Sequence, residues 1–546
     1  MNIKEESVYQ IYVKSFADSN GDGIGDLQGI ISKLDHIAGL GVSCVWLTPI
    51  YPSPMRDNGY DVSDYCAINP LFGTMEDFDL LVTEATKRGL KIMLDMVLNH
   101  SSTEHAWFKR ALAGERKYQD YYIFKQTPSP EQLPTNWISK FGGSAWSFSP
   151  EVGKHYLHLF DRTQADLNWE NPELREELFN IVNFWLAKGV KGLRFDVINL
   201  ISKPNNFIDD HKGDGRRFYT DGPRIHTHLK ELHARTFGLV PGCITVGEMS
   251  STSIENCIRY SVAQEKELSM VFTFHHLKVD YANGNKWTLA PLDFIGMKKL
   301  FNEWQTKMQA GGGVNALFWS NHDQPRVVSR FGNDTQFHYQ SSTMLAVAQY
   351  LMDGVPYIYQ GEEIGMTNAY FTSIDQYKDV ESLNYFKELT QNMSASQALT
   401  ILATKSRDNG RTPISWNDTQ GHGFTTGTPW LPFSTRAGQV NVKKDRTKCE
   451  SIYTFFQLIL QLRQNYSVFI GGIYQQLAHD HPSIYAYQRQ NDTAMAMVFC
   501  NFSTQTSTMM LPKALPQQLI LNNYEFCHKE GLYLTMQPYQ LLVFHN

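Results

Sequence analysis

MEDFDLLVTEATKRGL (75–90) runs directly into KIMLDMVLN (91–99), and this junction decides the fold. The first piece carries apolar residues at helical spacing and ends near a glycine, which stops a helix; the second is a short apolar run of strand type. Similar β-branched and aromatic runs lie at SVYQIYVKSF (7–16), VSCVWLTP (42–49), GLRFDVI (192–198), CITVGE (243–248), LSMVFTF (268–274), ALFWSNHD (316–323) and PYIYQGEE (356–363). Helical pieces such as NPELREELFNIVNFWLAKG (171–189) separate them. Eight strands alternating with helices predict an α/β fold, a (β/α)8 barrel, with a doubly wound open sheet as the other arrangement of the same alternation.

The spacing between strands is uneven. About ninety residues part the third strand from the fourth, beginning HSSTEHAWFKR (100–110) and including the turn-rich KQTPSPEQLPTNW (125–137), far more than one helix requires. An inserted subdomain is expected over 100–167, with the barrel on 1–99 and 168–467. A second insertion, about 367–449, follows the eighth strand and precedes the helix SIYTFFQLILQLRQ (451–464). Beyond it, SIYAYQRQ, TAMAMVFCNFS and QLLVFHN alternate without helices, so 468–546 is expected to form a small antiparallel β-sandwich.

Composition narrows the function classes. Of 546 residues, 42% are hydrophobic and 19% charged, as in a globular protein, and a net charge of -6 leaves no broad basic surface for nucleic acid. Seven cysteines, at 44, 66, 243, 257, 449, 500 and 527, form no CxxC pair and read as reduced thiols. No signal-peptide pattern or run of 18 apolar residues occurs. The expectation is a cytoplasmic protein with a small-molecule substrate, no membrane or nucleic-acid partner, and a monomer as the default state.

Barrel enzymes gather their chemistry at the C-terminal ends of the strands. Those ends offer Asn99 and His100 after strand three, Arg194 and Asp196 at strand four, Glu248 at strand five, and His322 and Asp323 at strand seven. Three carboxylates at one mouth suit glycoside hydrolysis, in which one carboxylate attacks the anomeric carbon and a protonated carboxyl delivers a proton to the leaving oxygen. Arg194, two residues before Asp196, projects to the same face and is the natural counter-ion for a nucleophile there.

GLRFDVINL, TVGEM, WSNHDQP, DMVLNH and QADLN (164–168) resemble the signature segments of the α-amylase-type glycoside hydrolases, in the form seen in the oligo-1,6-glucosidase group. The resemblance spans essentially the whole chain. It implies Asp196 as nucleophile, Glu248 as general acid/base, Asp323 as transition-state stabiliser, and retention through a covalent β-glucosyl enzyme. It also implies a glucose pocket of Asp57 and Tyr60 from DNGYDV, with His100, His322 and, from SRDNGRTP, Arg407. An Asp57/Arg407 pair would close that pocket and make the enzyme exo-acting. Val197 matches members that cleave α-1,6 or α-1,1 links, and QPRVVSRFG (324–332) lacks the Arg-rich loop of sucrose isomerases.

Within the group, NLISKPNNF, GDGRRFYTDGPRIH, GEMSSTS and FTFHHLKVDY most resemble the members that cleave phosphorylated α,α-trehalose. The implied reaction is hydrolysis of trehalose 6-phosphate to glucose and glucose 6-phosphate; the alternative is a neutral oligo-1,6-glucosidase acting on isomaltose. A phosphorylated leaving group needs local cations, and Lys278 is the first candidate, with Lys203, Arg216, Arg217 and Arg224 behind it. The non-catalytic relatives that serve as transporter heavy chains would lack the carboxylates and carry a transmembrane helix.

DSNGDGIGD (18–26), after the first strand, has oxygen donors at alternate positions. The EF-hand pattern fits at Asp18, Asn20, Asp22 and Gly23 but fails at its twelfth position, which is Gly29. The resemblance implies instead a structural Ca²⁺ held by Asp18, Asn20, Asp22, Asp26 and the carbonyl of Ile24, and no cofactor for catalysis. A turn held by its own Asx hydrogen bonds is the other reading.

Overall fold

The computed structural model describes residues 2–511 and 514–546. The chain packs as two compact units, one of Met1–Val45, Glu84–Leu90 and Phe274–Asn546, the other of Trp46–Thr83 and Lys91–Thr273. Eight parallel strands run through them: β1 (Val8–Ile11), β2 (Cys44–Leu47), β3 (Lys91–Met96), β4 (Gly192–Phe195), β5 (Ile244–Glu248), β6 (Met270–Phe272), β7 (Ala316–Leu317) and β8 (Val355–Tyr359). Their order is β6-β5-β4-β3-β2-β1-β8-β7. Strands follow one another around the sheet and β1 pairs with β8, Tyr9 opposite Ile358. A doubly wound sheet would reverse direction near its middle. This order is that of the (β/α)8 barrel.

Every residue of β1, β2, β4 and β8 is buried, which explains why these runs read as continuous apolar segments and do not alternate. The helix Met75–Lys87 stops two residues before Gly89, whose φ of 73° suits a residue without Cβ. Helix Pro172–Ala187 starts where Asn171 accepts hydrogen bonds from the amides of Glu173 and Leu174, with proline in its first turn. It buries Leu178, Val182 and Trp185, and the Trp185 indole donates to the Tyr65 carbonyl at 2.8 Å. Each such buried side chain contributes about 2 kcal/mol from removal of apolar area.

The stretch ALFWSNHD gives only two paired residues, fewer than its apolar pattern predicts. Side chains take over the backbone groups: His276 Nε2 lies 2.8 Å from the Phe318 carbonyl oxygen, and Asn321 Oδ1 accepts from the Asp323 amide at 2.8 Å. The chain thus leaves the ladder before His322 and Asp323.

The residues between β3 and β4 form two small antiparallel sheets, His100–Ser102 with Gln164–Asp166, and Lys154–Leu157 between Phe124–Lys125 and Trp146–Ser149. Trp137, Trp146, Leu157 and Leu159 from this stretch share one core with Val197, Leu200 and Tyr219. The insertion is therefore built onto the segment that follows β4.

Near the C-terminus β9 (Ile473–Leu477), β10 (Ile484–Gln490), β11 (Met495–Asn501), β12 (Gln518–Asn522) and β13 (Leu541–His545) make an antiparallel sheet ordered β9-β10-β11-β13-β12. A second sheet joins Ser507–Met510, Tyr533–Met536 and His528–Glu530. Ile484, Met497, Phe499 and Leu542 of the first pack against Met509, Leu534 and Met536 of the second, as in a β-sandwich. The opposite face of β10 meets helix His338–Tyr350, where the Tyr487 hydroxyl donates to the Val347 carbonyl at 3.2 Å.

Candidate active site

In the second unit the ends of β3, β4 and β5 bring three carboxylates to one guanidinium. Asp196 lies one residue past β4, but its amide still donates to the Met96 carbonyl at 3.0 Å, so strand geometry persists and Arg194 shares its face. Arg194 Nη1 donates to Asp95 Oδ1 at 2.7 Å and to Asp196 Oδ1 at 2.6 Å, and Nη2 donates to Glu248 Oε2. The Tyr60 hydroxyl donates to the other oxygen of Asp95 at 2.9 Å. Rings of Trp46 and Tyr60 lie 5.3 and 5.8 Å from the guanidinium carbon. Burial pushes Asp196 and Asp95 up to about 6, against the pull of Arg194, and each also raises or is raised by a neighbouring carboxylate.

Val197, next to Asp196, holds φ 36° and ψ 40°, a left-handed conformation that β-branched residues rarely adopt. There its amide points at Glu248 Oε2, 3.4 Å away. Asp57 accepts from Gln164 Nε2 at 3.0 Å. His100 Nε2 lies 3.1 Å from the Tyr60 carbonyl oxygen, and burial pushes the imidazole down to about 4, so it is neutral at pH 7.

In the first unit Asp323 has a different setting. Arg411 Nη2 donates to its Oδ1 at 2.7 Å and Arg407 Nη1 at 3.3 Å, while His322 Nε2 lies 3.6 Å from Oδ2. Arg407 Nη2 and Arg411 Nη1 also donate to Asp379 Oδ1, at 2.6 and 3.2 Å respectively. Burial would raise the Asp323 carboxyl, but His322, Arg407 and Arg411 outweigh it and hold it far below the carboxylate range; Asp379 is brought to about 2. His322 is oriented by Gln10 Nε2, 2.9 Å from its Nδ1, and by the Tyr12 ring stacked at 6.0 Å.

The cations expected near a phosphate separate into two groups. Lys203 is buried and salt-bridged to Asp166 at 2.7 Å, Arg216 pairs with Asp214 at 2.8 Å, Arg217 with Asp210 at 2.9 Å, and Arg224 with Glu170. These four already neutralise carboxylates. Lys278 is exposed, at the end of the single turn His275–Leu277 that follows β6.

Loop 18–26 folds on itself. Asp18 accepts from the amides of Asn20, Gly21 and Gly23, Asn20 Oδ1 from Asp22, and Asp22 Oδ1 from Ile24. Asp26 caps helix Leu27–Ser32 through the Gly29 amide and holds Ser19 with its other oxygen. The donors are carboxylate, amide and carbonyl oxygens, the kind calcium takes. Among the described residues no group of three or more His, Cys, Asp or Glu is gathered to hold a metal ion.

Three participants went unread in the sequence: Asp95, Asp379 and Arg411. Asp95 had a signal, an acid inside the apolar run KIMLDM. Arg411 stands four residues after Arg407 in the same motif, whereas Asp379 sits in a segment without any pattern and becomes visible only through its partners.

Residues 10–472 match the α-amylase catalytic domain family, and the chain belongs to it. Among its relatives, trehalose-6-phosphate hydrolase of Bacillus subtilis is 50% identical, over 99% of this chain and 97% of that protein. An oligo-1,6-glucosidase of Bacillus cereus is 42% identical, over 99% and 98%. The crystal structure of Bacillus licheniformis trehalose-6-phosphate hydrolase superposes with a TM-score of 0.96 at 48% identity, covering 99% of each chain.

Proposed function

We propose that this protein hydrolyses α,α-trehalose 6-phosphate to glucose and glucose 6-phosphate with retention of configuration. The observation that carries the chemistry is the single guanidinium of Arg194 bonded to both Asp196 and Glu248. One arginine spans only carboxylates a few ångströms apart, and retaining glycosidases keep theirs at about 5–5.5 Å. The higher identity to phosphate-sugar hydrolases than to oligo-1,6-glucosidases, 50% against 42% over the same share of the chain, supports the phosphorylated substrate.

In this reading the family resemblance assigns Asp57, Tyr60, His100, His322 and Arg407 to the non-reducing glucose, which is removed from the chain end. Asp196 attacks its anomeric carbon while Glu248, protonated, gives its proton to the bridging oxygen, and glucose 6-phosphate departs. Glu248, now ionised, takes a proton from water, which attacks the same carbon and frees Asp196. Asp323, kept ionised by its arginines, accepts hydrogen bonds from sugar hydroxyls as positive charge grows on the ring. Lys278 is a candidate for the phosphate side.

The test compares initial rates on trehalose 6-phosphate, trehalose and isomaltose. A preference for the phosphorylated disaccharide supports the reading, and a preference for isomaltose replaces it with the neutral glucosidase. We also assign Ca²⁺ to loop 18–26, through Asp18, Asn20, Asp22, Asp26 and the Ile24 carbonyl, as a structural ion with no step in the reaction. Seven cysteines outside any disulfide support a cytoplasmic location, and no described helix is long and apolar enough to cross a membrane.

A further inference from the structure

The ladder between β4 and β5 stops just short of Asp196 and Glu248. Its last pair is Phe195 opposite Gly247, one residue before each acid. From there both strand ends are tied outward: the Asp196 amide donates to the Met96 carbonyl at 3.0 Å, toward β3, and the Met249 amide to the Phe272 carbonyl at 3.1 Å, toward β6. Arg194 spans the gap at the level of the carboxylates. Past them, Asn199 spans it.

Val197, at φ 36°, turns the chain out of the strand into the single turn Ile198–Leu200, which carries Asn199. Asn199 is fully buried. Its Oδ1 accepts from the Ser250 amide at 2.9 Å, and its Nδ2 donates to the Ser250 carbonyl at 3.0 Å. One side-chain amide thus meets both backbone groups of one residue, as a residue of a neighbouring strand would. The clamp lies three residues past Asp196 and two past Glu248.

The amide is also held the right way round. Asn199 Nδ2 donates to Asp221 Oδ1 at 3.0 Å, and a carboxylate accepts but does not donate, so the side chain cannot turn over. Asp221 is anchored in turn by the Tyr260 hydroxyl at 2.6 Å, the Thr252 hydroxyl at 2.7 Å and Asn256 Nδ2 at 2.9 Å. Its own amide donates to the Asn199 carbonyl at 3.0 Å. At φ 51° Asp221 holds a left-handed conformation uncommon outside glycine, which the surrounding bonds enforce.

We propose that Asn199, oriented by Asp221, is a positioning residue: it locks the end of β5 to the segment after Asp196 and so sets Glu248 against the glycosidic oxygen. This role rests on the retaining reading above, and not on the phosphate of the substrate. Asp196 is held separately, through Met96 and Arg194, so a loosened clamp displaces the proton donor more than the nucleophile.

The experiment uses two aryl α-glucosides that differ in leaving group: p-nitrophenyl, which departs with little help from an acid, and phenyl, which needs the proton. Asn199→Ala should lower kcat/KM on phenyl α-glucoside by about tenfold to a hundredfold, and on the nitrophenyl substrate by about threefold or less. Asp221→Asn keeps the shape of the anchor but has one acceptor oxygen in place of two, and should show the same inequality at smaller size.

Equal losses on both glucosides, with a lowered melting temperature, would make the clamp a structural tie alone and overturn the proposal; so would unchanged rates. If Asn199→Ala does not fold, the same ratio in Asp221→Asn decides. A parent enzyme that releases β-glucose from either substrate fails the retaining reading itself, whatever Asn199 does.

Discussion

The two charged clusters differ in how many cations serve each acid. Around Arg194 one guanidinium faces Asp95, Asp196 and Glu248. Around Asp323 two guanidinia, Arg407 and Arg411, face Asp323 and Asp379 together. Both clusters are largely buried, with Asp323 about one-third exposed, yet in the first the shortage of positive charge leaves Asp95 and Asp196 near 6, while in the second the matched charges hold Asp323 far below the usual carboxylate range. Desolvation raises a carboxyl in either place, and the local count of cations decides whether it prevails. A cluster poised near neutrality suits proton and bond exchange, and a cluster held far from it suits a fixed negative charge.

The comparison is tested hardest at Asp196. Asp196→Asn should lower kcat on both phosphorylated and neutral substrates by about 10⁴-fold or more, as loss of a covalent nucleophile does; a residual rate within about a hundredfold of the parent would remove Asp196 from that role. Next comes the difference in charge matching. Arg194→Met strands three buried acids and should cost about 3–5 kcal/mol in urea unfolding, whereas Arg411→Met leaves Arg407 in contact with both Asp323 and Asp379 and should cost less. Equal losses would show that the number of cations per acid is not what separates the clusters.

The acidic limb of kcat/KM sharpens the point further. Asp196 must be ionised to attack, so activity should fall about tenfold per pH unit below its value of about 6. Burial raises that value most, and the negative charge of Asp95 adds to it. Asp95→Asn removes that contribution, so the limb should move to lower pH by about half a unit or more. Arg411→Met acts on a carboxyl already ionised and should leave the midpoint in place; a shift there would assign the limb to the second cluster. His100, neutral above about 4, does not contribute near 6.

The smallest effect lies outside both clusters. Removing Ca²⁺ with a chelator should lower the melting temperature by about 2 °C or more, with kcat/KM at moderate temperature changed less. No shift would mean that the Asx turns of loop 18–26 hold it unaided.

Much of the first cluster was legible. Arg194 and Asp196 share a face because strand residues alternate, and Glu248 closes an apolar run that ends as a strand should. Asp95 was passed over because an acid inside a strand is read as an exception until its arginine is seen. The second cluster was harder, since Asp379 and Arg411 lie in the long stretch after β8, where no period marks which side chain turns inward. The candidate phosphate lysines show the same limit: Lys203 and Lys278 are equally plausible as letters, and only the structure shows that Lys203 is buried on Asp166 while Lys278 is exposed.

By itself the sequence determined the eight alternating strands and helices, the insertion after β3, the β-sandwich and the residues at the strand ends, because these follow from local periods of two and 3.6 and from order along the chain. Tertiary structure alone decided that one arginine serves three acids while two serve the other pair, and which cations already belong to carboxylates. Charge balance inside a folded protein depends on distances between residues far apart in sequence, and no local period records them.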